Sequence, residues 1–592
     1  MMLLDTPLEL LHIIGSCLVN TSKHCLLCKL SLTCLTMHNA LHSSLADAKK
    51  MREDSFITNW KHDWLEALKV APFDDIEILH NNGLLEKNKK DVLCHLADIG
   101  SLEALECILN KLATNDVDVL NSELFLTVCG GGHLRFAQYI VERFDFTPAC
   151  ARQFNNGALR RACRGGHLEL AQWLTSRFHL TAEDARESYA FAGSCRKGHL
   201  NVAMWLTQQF GLTLDDVRSM QDNVLFLSCK NGHFDVAKWL VQHFGLTATD
   251  ARSSHNATLR ICCRHGRLEI AQWLAQRFAL TKSDASDSHM FALKMSCKHG
   301  HLETAQWLVR HFCLTDNDLR LLGYLNFLGP FHSACHNGHL EVVKWVTHEF
   351  NLTIDDARSS CNYALRWACG NGHLHVAQWL TQHFGLTIDD ARDYDNDALF
   401  LSCHCRDLRV VQWLCNHFGL TVQDIRARNN VLLRLTCRSG YLEIAKWLTD
   451  QFALTAEDAR AQDNEALKSS CSNGHVAVAK WLTSHFGLTV DDLRSSGNVE
   501  VLARACYNGH LDCVQWMTQH FGLTSEDARA RDNCALRNSC VVGRLDIVKW
   551  LTFHFGLTAE DAKTNIDFLL GLSNDNKGAF VTSAWLTKHF NL

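Results

Sequence analysis

The hydrophobic and polar positions of this chain follow a pattern that returns about every 34 residues. Within residues 156–186, Gly165 and Gly166 separate two apolar stretches whose spacing is helical. These stretches predict two helices, with faces formed by Ala158, Leu159, Ala162 and Cys163 and then by Leu168, Leu170, Ala171, Trp173 and Leu174. Glycine at the junction favours a turn with positive φ. Each unit is therefore predicted to contain two antiparallel helices.

A Thr-x-x-acid sequence follows the second helix in many units. Threonine followed three residues later by an acid is a capping box, which satisfies free backbone amides at the start of a helix. The box occurs as Thr181…Asp184, Thr213…Asp216, Thr247…Asp250, Thr387…Asp390, Thr455…Asp458 and Thr524…Asp527. We therefore predict a short capped helical turn between successive helix pairs.

Aromatic residues mark the frame of the repeat. Twelve tryptophans take the same place in successive units, at Trp173, Trp205, Trp239, Trp273, Trp307, Trp345, Trp379, Trp413, Trp447, Trp481, Trp516 and Trp550. Trp585 continues the series, Tyr139 precedes it, and Cys107 holds the place in a degenerate first unit. A series of about fifteen units indicates a stacked array, because one unit cannot bury its own apolar face. The tryptophans are predicted to pack in the core, together with Phe178, Phe244, Phe384 and Phe555.

This pattern resembles the ankyrin repeat. Residues 368–377 read Ala-Cys-Gly-Asn-Gly-His-Leu-His-Val-Ala, and ankyrin units carry a similar Ala-Ala-x-x-Gly-His-Leu-x-Val-Val stretch across the helix–helix turn. The resemblance covers residues 91–592 and implies an all-α, ankyrin-like helical solenoid. An Asn-x-Ala-Leu sequence replaces the family's Thr-Pro-Leu-His opening, as at Asn362–Leu365. The segment Phe384–Arg392 stands where the family has a β-hairpin finger, so the finger is either a helical turn or a hairpin.

Residues 1–46 lie outside the repeat frame and are similar to an F-box. The family's Leu-Pro-x-Glu-Leu-Leu-x-x-Ile opening and Leu-Ser-Leu-x-Cys core are matched by Pro7, Glu9, Leu10, Leu11, Ile14, Leu30, Ser31, Leu32 and Cys34. The resemblance implies a small helical domain that docks onto a Skp-type adaptor of a cullin–RING ubiquitin ligase. Its predicted adaptor-binding residues are Pro7, Leu8, Leu11, Ile14 and Leu32. The alternative is a helical cap on the solenoid, and residues 47–90 are predicted to be a helical connector.

Repeat arrays with an F-box occur in unicellular eukaryotes and in the large DNA viruses that infect them, and this chain resembles that type. Its 27 cysteines, with no secretory signal evident, favour a reducing compartment, the cytosol or the nucleus. No run of 18 apolar residues predicts a membrane span. The net charge of −6 excludes a globally polybasic nucleic-acid binder, although a local basic stripe stays compatible with it.

Such a stripe lies on the first helix of the units. Its predicted partner-binding residues are Arg160, Arg260, Lys294, Arg366, Arg434, Lys468 and Arg537. A second set follows four residues later, at Arg164, Arg264, Lys298 and Arg438, and other units add Arg196 and Lys230. Residues four apart share one face of a helix, and in ankyrin-like arrays the first helix faces the concave side. We expect a groove for an acidic protein segment, in preference to a nucleic acid, with Phe226, Trp367 and Phe400 as anchors. The alternative is that the Thr-x-x-Asp acids neutralise the stripe.

A Cys-x-x-x-His spacing recurs, as at Cys163…His167 and Cys335…His339. It allows a zinc site, but we favour buried thiols that act as small hydrophobes, with the histidines as turn residues. The longest Trp–Trp interval adds apolar residues at Leu321–Pro330, which either form a bulged loop or contact a partner.

No nucleophile elbow, phosphate loop, pair of catalytic carboxylates or metal motif stands apart from the repeat pattern. We therefore expect a monomeric, non-enzymatic binding protein without a cofactor. One hypothesis is a substrate receptor of a ubiquitin ligase, and the other is a scaffold with no ubiquitin connection.

Overall fold

The computed structural model describes residues 117–144, 146–219, 223–320, 329–494, 500–563 and 577–591. The predicted F-box-like domain, with Pro7, Leu8, Leu11, Ile14 and Leu32, the connector and the unit around Cys107 lie outside the described residues. All regular structure in the described ranges is helical. The chain divides into an N-terminal unit, Met1–Ser253, and a C-terminal unit, Ser254–Leu592.

The N-terminal unit consists of helix pairs joined by glycine turns. Its helices are α1 (Val117–Gly131), α2 (Leu134–Arg143), α3 (Pro148–Gly165), α4 (Leu168–Phe178), α5 (Ala182–Glu187), α6 (Ala190–Lys197), α7 (Leu200–Phe210), α8 (Leu214–Ser219), α9 (Val224–Asn231), α10 (Phe234–Phe244) and α11 (Ala248–Ala251). The first helices of successive pairs, α1, α3, α6 and α9, pack side by side, and each also contacts the second helix of its own pair.

The C-terminal unit repeats this arrangement; its first helix begins at Ser253. Its helices are α12 (Ser253–Arg264), α13 (Leu268–Arg277), α14 (Lys282–Lys298), α15 (Leu302–Phe312), α16 (Asp316–Arg320), α17 (Gly329–Asn337), α18 (Leu340–Glu349), α19 (Ile354–Gly370), α20 (Leu374–Phe384), α21 (Ile388–Ser402), α22 (Leu408–Phe418), α23 (Val422–Arg438), α24 (Leu442–Phe452), α25 (Ala456–Ala459), α26 (Ala461–Ser472), α27 (Val476–Phe486), α28 (Val490–Arg494), α29 (Glu500–Asn508), α30 (Leu511–Phe521), α31 (Ser525–Val541), α32 (Leu545–Phe555) and α33 (Lys577–Phe590).

The predicted helix pair is confirmed in residue detail. Leu159, Cys163 and Leu170 have no more than 1% of their surface exposed. Gly166 ends α3 with φ 83°, and a Cβ placed there would lie 2.5 Å from Nδ1 of His199 in the next repeat. Glycine is therefore required both by its backbone conformation and by the close approach of the next repeat.

The finger is helical. Thr181 Oγ1 accepts a hydrogen bond from the amide of Asp184, and the Asp184 carboxylate accepts one from the Thr181 amide at 2.8 Å, as the capping box predicts. The same box begins α19, α21 and α23. A short helix therefore stands where the ankyrin family has a hairpin.

In seven of the described repeats the chain enters the first helix through a left-handed kink. In seven repeats three consecutive non-glycine residues have positive φ, and the third is always asparagine: Asn156, Asn256, Asn362, Asn396, Asn430, Asn464 and Asn533. Asparagine tolerates the left-handed conformation better than most residues. The asparagine of the Asn-x-Ala-Leu motif is therefore the last residue of the kink.

The tryptophans are not core residues, so that prediction was wrong. Phe384 on α20 is buried, whereas Trp379 on the same helix is only half-buried. The ring of Trp379 is nearly perpendicular to that of Phe384 and stacks on the ring of His383 at 4.5 Å. Leucine, alanine and phenylalanine fill the space between the helices, so the larger indole ring lies at the flank of the second helix.

Candidate partner-binding surface

The seven predicted cations all lie on first helices, but five of them bind to their own turn or to a neighbouring acid. Arg366 is the clearest case: its Nε donates to Asp397 Oδ2 at 2.7 Å, and its guanidinium lies 4.6 Å from the ring centroid of Tyr394. Only 13% of the Arg366 side chain is exposed. Its Nη1 also donates to the carbonyl oxygen of Cys361, at 3.1 Å.

We call this hydrogen bond from a first-helix cation back to its own kink a latch. It recurs in other repeats. Arg260, Arg434 and Arg537 each donate to a backbone carbonyl five or six residues earlier, at 3.2–3.3 Å, on His255, Arg428 and Asp532. Lys468 instead bonds the Asp463 carboxylate at 2.7 Å. Arg160 and Lys294 are half-buried and form no side-chain hydrogen bond or ion pair within the described ranges. This row therefore stabilises the left-handed kinks in most repeats.

The second set, four residues later, is the accessible one. Arg164, Arg196, Arg264, Lys298 and Arg438 are exposed and Lys230 is half-buried. None of the six side chains forms a hydrogen bond or an ion pair with another residue that the structure describes. The spacing in the sequence indicated both sets, but only the tertiary contacts distinguish them.

The acids of the Thr-x-x-Asp boxes pair with a different arginine, which the sequence reasoning missed. Each partner is the arginine two residues after the capping aspartate of the preceding repeat, except Arg152, which follows Cys150 at that place. The pairs of the N-terminal unit are Arg152–Asp184, Arg186–Asp216 and Arg218–Asp250. Those of the C-terminal unit are Arg358–Asp390, Arg392–Asp424, Arg426–Asp458, Arg460–Asp492, Arg494–Asp527 and Arg529–Asp561. We call these pairs the Arg–Asp ladder.

Each pair of the ladder joins a capping box to the repeat before it. Asp250 Oδ1 accepts from Arg218 Nε at 2.8 Å, while its Oδ2 accepts from the Thr247 amide at 2.8 Å. The hydrogen bond from Arg218 outweighs burial and lowers the pKa of Asp250 to about 2. The expectation that these acids neutralise the stripe was therefore wrong, because their carboxylates are already paired. The recurring Asp-Ala-Arg triplet is the sequence feature that indicates these ion pairs.

The predicted aromatic anchors have different surroundings. Trp367 lies 4.8 Å from the ring of His336 and 5.9 Å from that of Tyr363, all on first helices of the C-terminal unit. The guanidinium of Arg428 lies 5.7 Å from the ring centroid of Phe400. Phe226, in the N-terminal unit, is half-buried. The three rings therefore do not form one continuous anchor, although Trp367 belongs to a local aromatic cluster.

A polar cavity of about 290 Å³ opens on the first helices of the C-terminal unit. Its lining carries both charges, with Arg438 and Arg504 beside Glu465. Arg504 also bonds Glu500 at 2.7 Å. This cavity is suited to a polar side chain rather than to a strongly charged ligand.

The repeated cysteines are buried. Cys163 and Cys335 have no exposed surface, and burial raises the pKa of each thiol. The His167 ring Nε2 lies 2.9 Å from the carbonyl oxygen of Gly130 in the preceding repeat. Among the described residues no group of three or more His, Cys, Asp and Glu side chains is placed to hold a metal ion. No helix there combines the length and the apolar composition that a membrane crossing requires.

Stacked helix pairs joined by glycine turns define a helical-repeat protein. The family model for ankyrin repeats in three copies matches residues 159–250, 191–287, 259–356 and 331–429. These central residues are therefore ankyrin repeats. Repeats outside them, such as α30 with α31, have the same helices and capping boxes. A comparison with curated proteins found no match.

Proposed function

We propose that the protein is a non-enzymatic, monomeric binding protein whose first-helix face holds a protein target. The observation that carries this proposal is the exposed second set of cations, from Arg164 to Arg438, which has no internal partner in the described structure. Ankyrin repeats supply protein-binding surfaces, and an exposed row of like charge favours a partner of opposite charge. Within each unit the target lies across that unit's basic residues. Arg160 in the N-terminal unit, and Arg260, Lys294, Arg366, Arg434, Lys468 and Arg537 in the C-terminal unit, form the floor of the proposed groove of their own unit.

We further propose that the target is presented to a ubiquitin ligase, in the cytosol or the nucleus. Residues 1–46 act as an F-box, residues 47–90 connect it to the array, and residues 91–592 form the receptor. The support is the sequence match at Pro7, Leu11 and Ile14 together with the ankyrin repeats that follow it. The alternative function is a scaffold in which residues 1–46 cap the array.

The adaptor proposal is tested with the full chain and a purified Skp-type adaptor by size-exclusion chromatography. We expect co-elution, and we expect the double variant Leu11→Asp and Ile14→Asp to lose it without a change in unfolding temperature. No co-elution of the natural chain, together with a lower unfolding temperature of the variant, would favour the cap.

A further inference from the structure

The first helices of the N-terminal unit carry a row of cations without internal partners. We call it the N-terminal cationic row; its members are Arg160, Arg161, Arg164, Arg196 and Lys230, on α3, α6 and α9. Arg161, Arg164 and Arg196 are exposed and the other two are half-buried. None of the five side chains forms a hydrogen bond or an ion pair with a residue of the described structure.

This row has no acidic counterpart on its own helices. The part of α3 that follows the kink, α6 and α9 contain no aspartate or glutamate. Glu123, on the neighbouring α1, is half-buried. The acids of the ladder, Asp184, Asp216 and Asp250, already accept bidentate hydrogen bonds from other arginines. Among the residues that the structure describes, the positive charge of the row is therefore uncompensated.

The helix dipole explains only part of the row. Arg164, Arg196 and Lys230 lie in last turns, where a cation stabilises the partial negative charge of the helix end. Arg160 and Arg161 lie a turn earlier, and the dipole gives no reason for the absence of acids from all three helices. A ligand of opposite charge accounts for both features.

We propose that the N-terminal cationic row binds an extended acidic peptide segment, with one carboxylate for each repeat. Neighbouring packed helices are roughly 10 Å apart, and an extended chain advances about 3.3 Å per residue. Carboxylates three residues apart therefore match Arg164, Arg196 and Lys230 in turn. The planar guanidinium of arginine can donate two parallel hydrogen bonds to one carboxylate, which makes arginine well suited to bind it. This inference rests on the proposed protein-binding function and names the class of its partner.

A nucleic acid is the weaker fit. Its charges follow one another at about 3.4 Å along each strand, which is denser than one cation in each repeat. The whole chain also has a net charge of −6, which opposes a long polyanion outside the row. A single-stranded RNA is therefore included in the test as the competing ligand.

The test measures fluorescence anisotropy of labelled peptides with the full chain at about 50 mM salt, where exposed charges are weakly screened. One peptide has three glutamates at every third position, and the other has the same composition with the glutamates adjacent. We expect the spaced peptide to bind several-fold more tightly. The triple variant R164E/R196E/K230E should weaken it about tenfold or more.

The matched control is R135E/R143E/R177E, which reverses three exposed cations on the second helices α2 and α4. We expect it to leave peptide binding unchanged. The neutral variant R164Q/R196Q/K230Q should also lose affinity, and circular dichroism would show whether each variant keeps its helices. The proposal is overturned by absence of peptide binding, by equal binding of both peptides, by equal loss in both triple variants, or by tighter binding of the RNA. None of these outcomes bears on the proposed adaptor binding, and a failure of adaptor co-elution would not bear on the N-terminal cationic row.

Discussion

The first helices of the two units place cations at the same positions, but in the described structure only the C-terminal unit holds some of them by hydrogen bonds to the kink or to an acid. In the N-terminal unit Arg160 and Arg164 have no internal partner in the described structure, and no acid follows them on α6 or α9. In the C-terminal unit Arg366 is held by Asp397 and by the kink, and His336, Gly370 and His404 interrupt the exposed row. An arginine at a given repeat position is therefore either without a partner among the described residues or a structural latch, according to the residues in its own kink and in the next repeat.

The largest expected effect on stability is at the glycine turns, which both units share. Gly166→Val in the N-terminal unit and Gly338→Val in the C-terminal unit each place a β-branched residue at positive φ against the next histidine, with approach distances of 2.5 Å. We expect each to lower the free energy of unfolding by about 3 kcal/mol, measured with urea. The control is Gly211→Ala, where φ is 60° and nothing lies within 4 Å, so the loss should be about 1 kcal/mol. Equal losses at all three sites would contradict the proposed close-approach requirement.

The next effect breaks the latch of the C-terminal unit. Asp397→Ala leaves Arg366, which is mostly buried, without its carboxylate, and we expect a loss of about 2–3 kcal/mol in urea unfolding. Asp395→Ala is the control, because that carboxylate is 85% exposed and lies 3.5 Å from Arg428. Its loss should be below about 0.5 kcal/mol. If both variants were equally stable, Arg366 would not be a latch.

The ladder makes both units sensitive to acid. The folded-state pKa of Asp250 is lowered to about 2, chiefly by the hydrogen bond from Arg218. Its stabilisation is therefore present above the unfolded-state pKa near 3.8 and is lost as pH falls from there toward 2. With allowance for solvent screening at the half-exposed Arg218, the contribution of Asp250 to the free energy of unfolding is about 1 kcal/mol.

Asp250→Asn should flatten the dependence of unfolding free energy on pH between about 4 and 2. Asp235→Asn, at an exposed acid on α10, is the matched control and should leave the slope unchanged. A slope identical in the natural chain and in both variants would rule out a ladder contribution from Asp250.

The smallest effect concerns the kink. Cys361 is exposed and has φ 56°, so Cys361→Gly removes a left-handed non-glycine residue. We expect a gain of about 0.5–1 kcal/mol in thermal or urea unfolding. Cys534→Gly, within the helical part of α31, should instead cost about 1 kcal/mol. A loss at both positions would show that the kink does not strain Cys361.

The sequence by itself determined the repeat, the helix pairs, the capping boxes and the glycine turns. These features depend on contacts within a few residues, such as Thr181 with Asp184, or on a required backbone conformation, as at Gly166. The ankyrin resemblance came from the same local pattern. The proposed role of residues 1–46 also stays a prediction from sequence.

Only the tertiary structure decided which polar and aromatic side chains face solvent. Arg366 and Arg160 hold the same place in their repeats, but Arg366 meets an acid 31 residues later, whereas the Arg160 side chain has no hydrogen-bond or ion-pair partner among the described residues. Trp379 and Phe384 look equally apolar, yet only the phenylalanine is buried, with its ring centroid 6.1 Å from that of Phe331 in the preceding repeat. Local propensity determines each helix, whereas the stacking register determines which residues of adjacent repeats come within hydrogen-bonding distance.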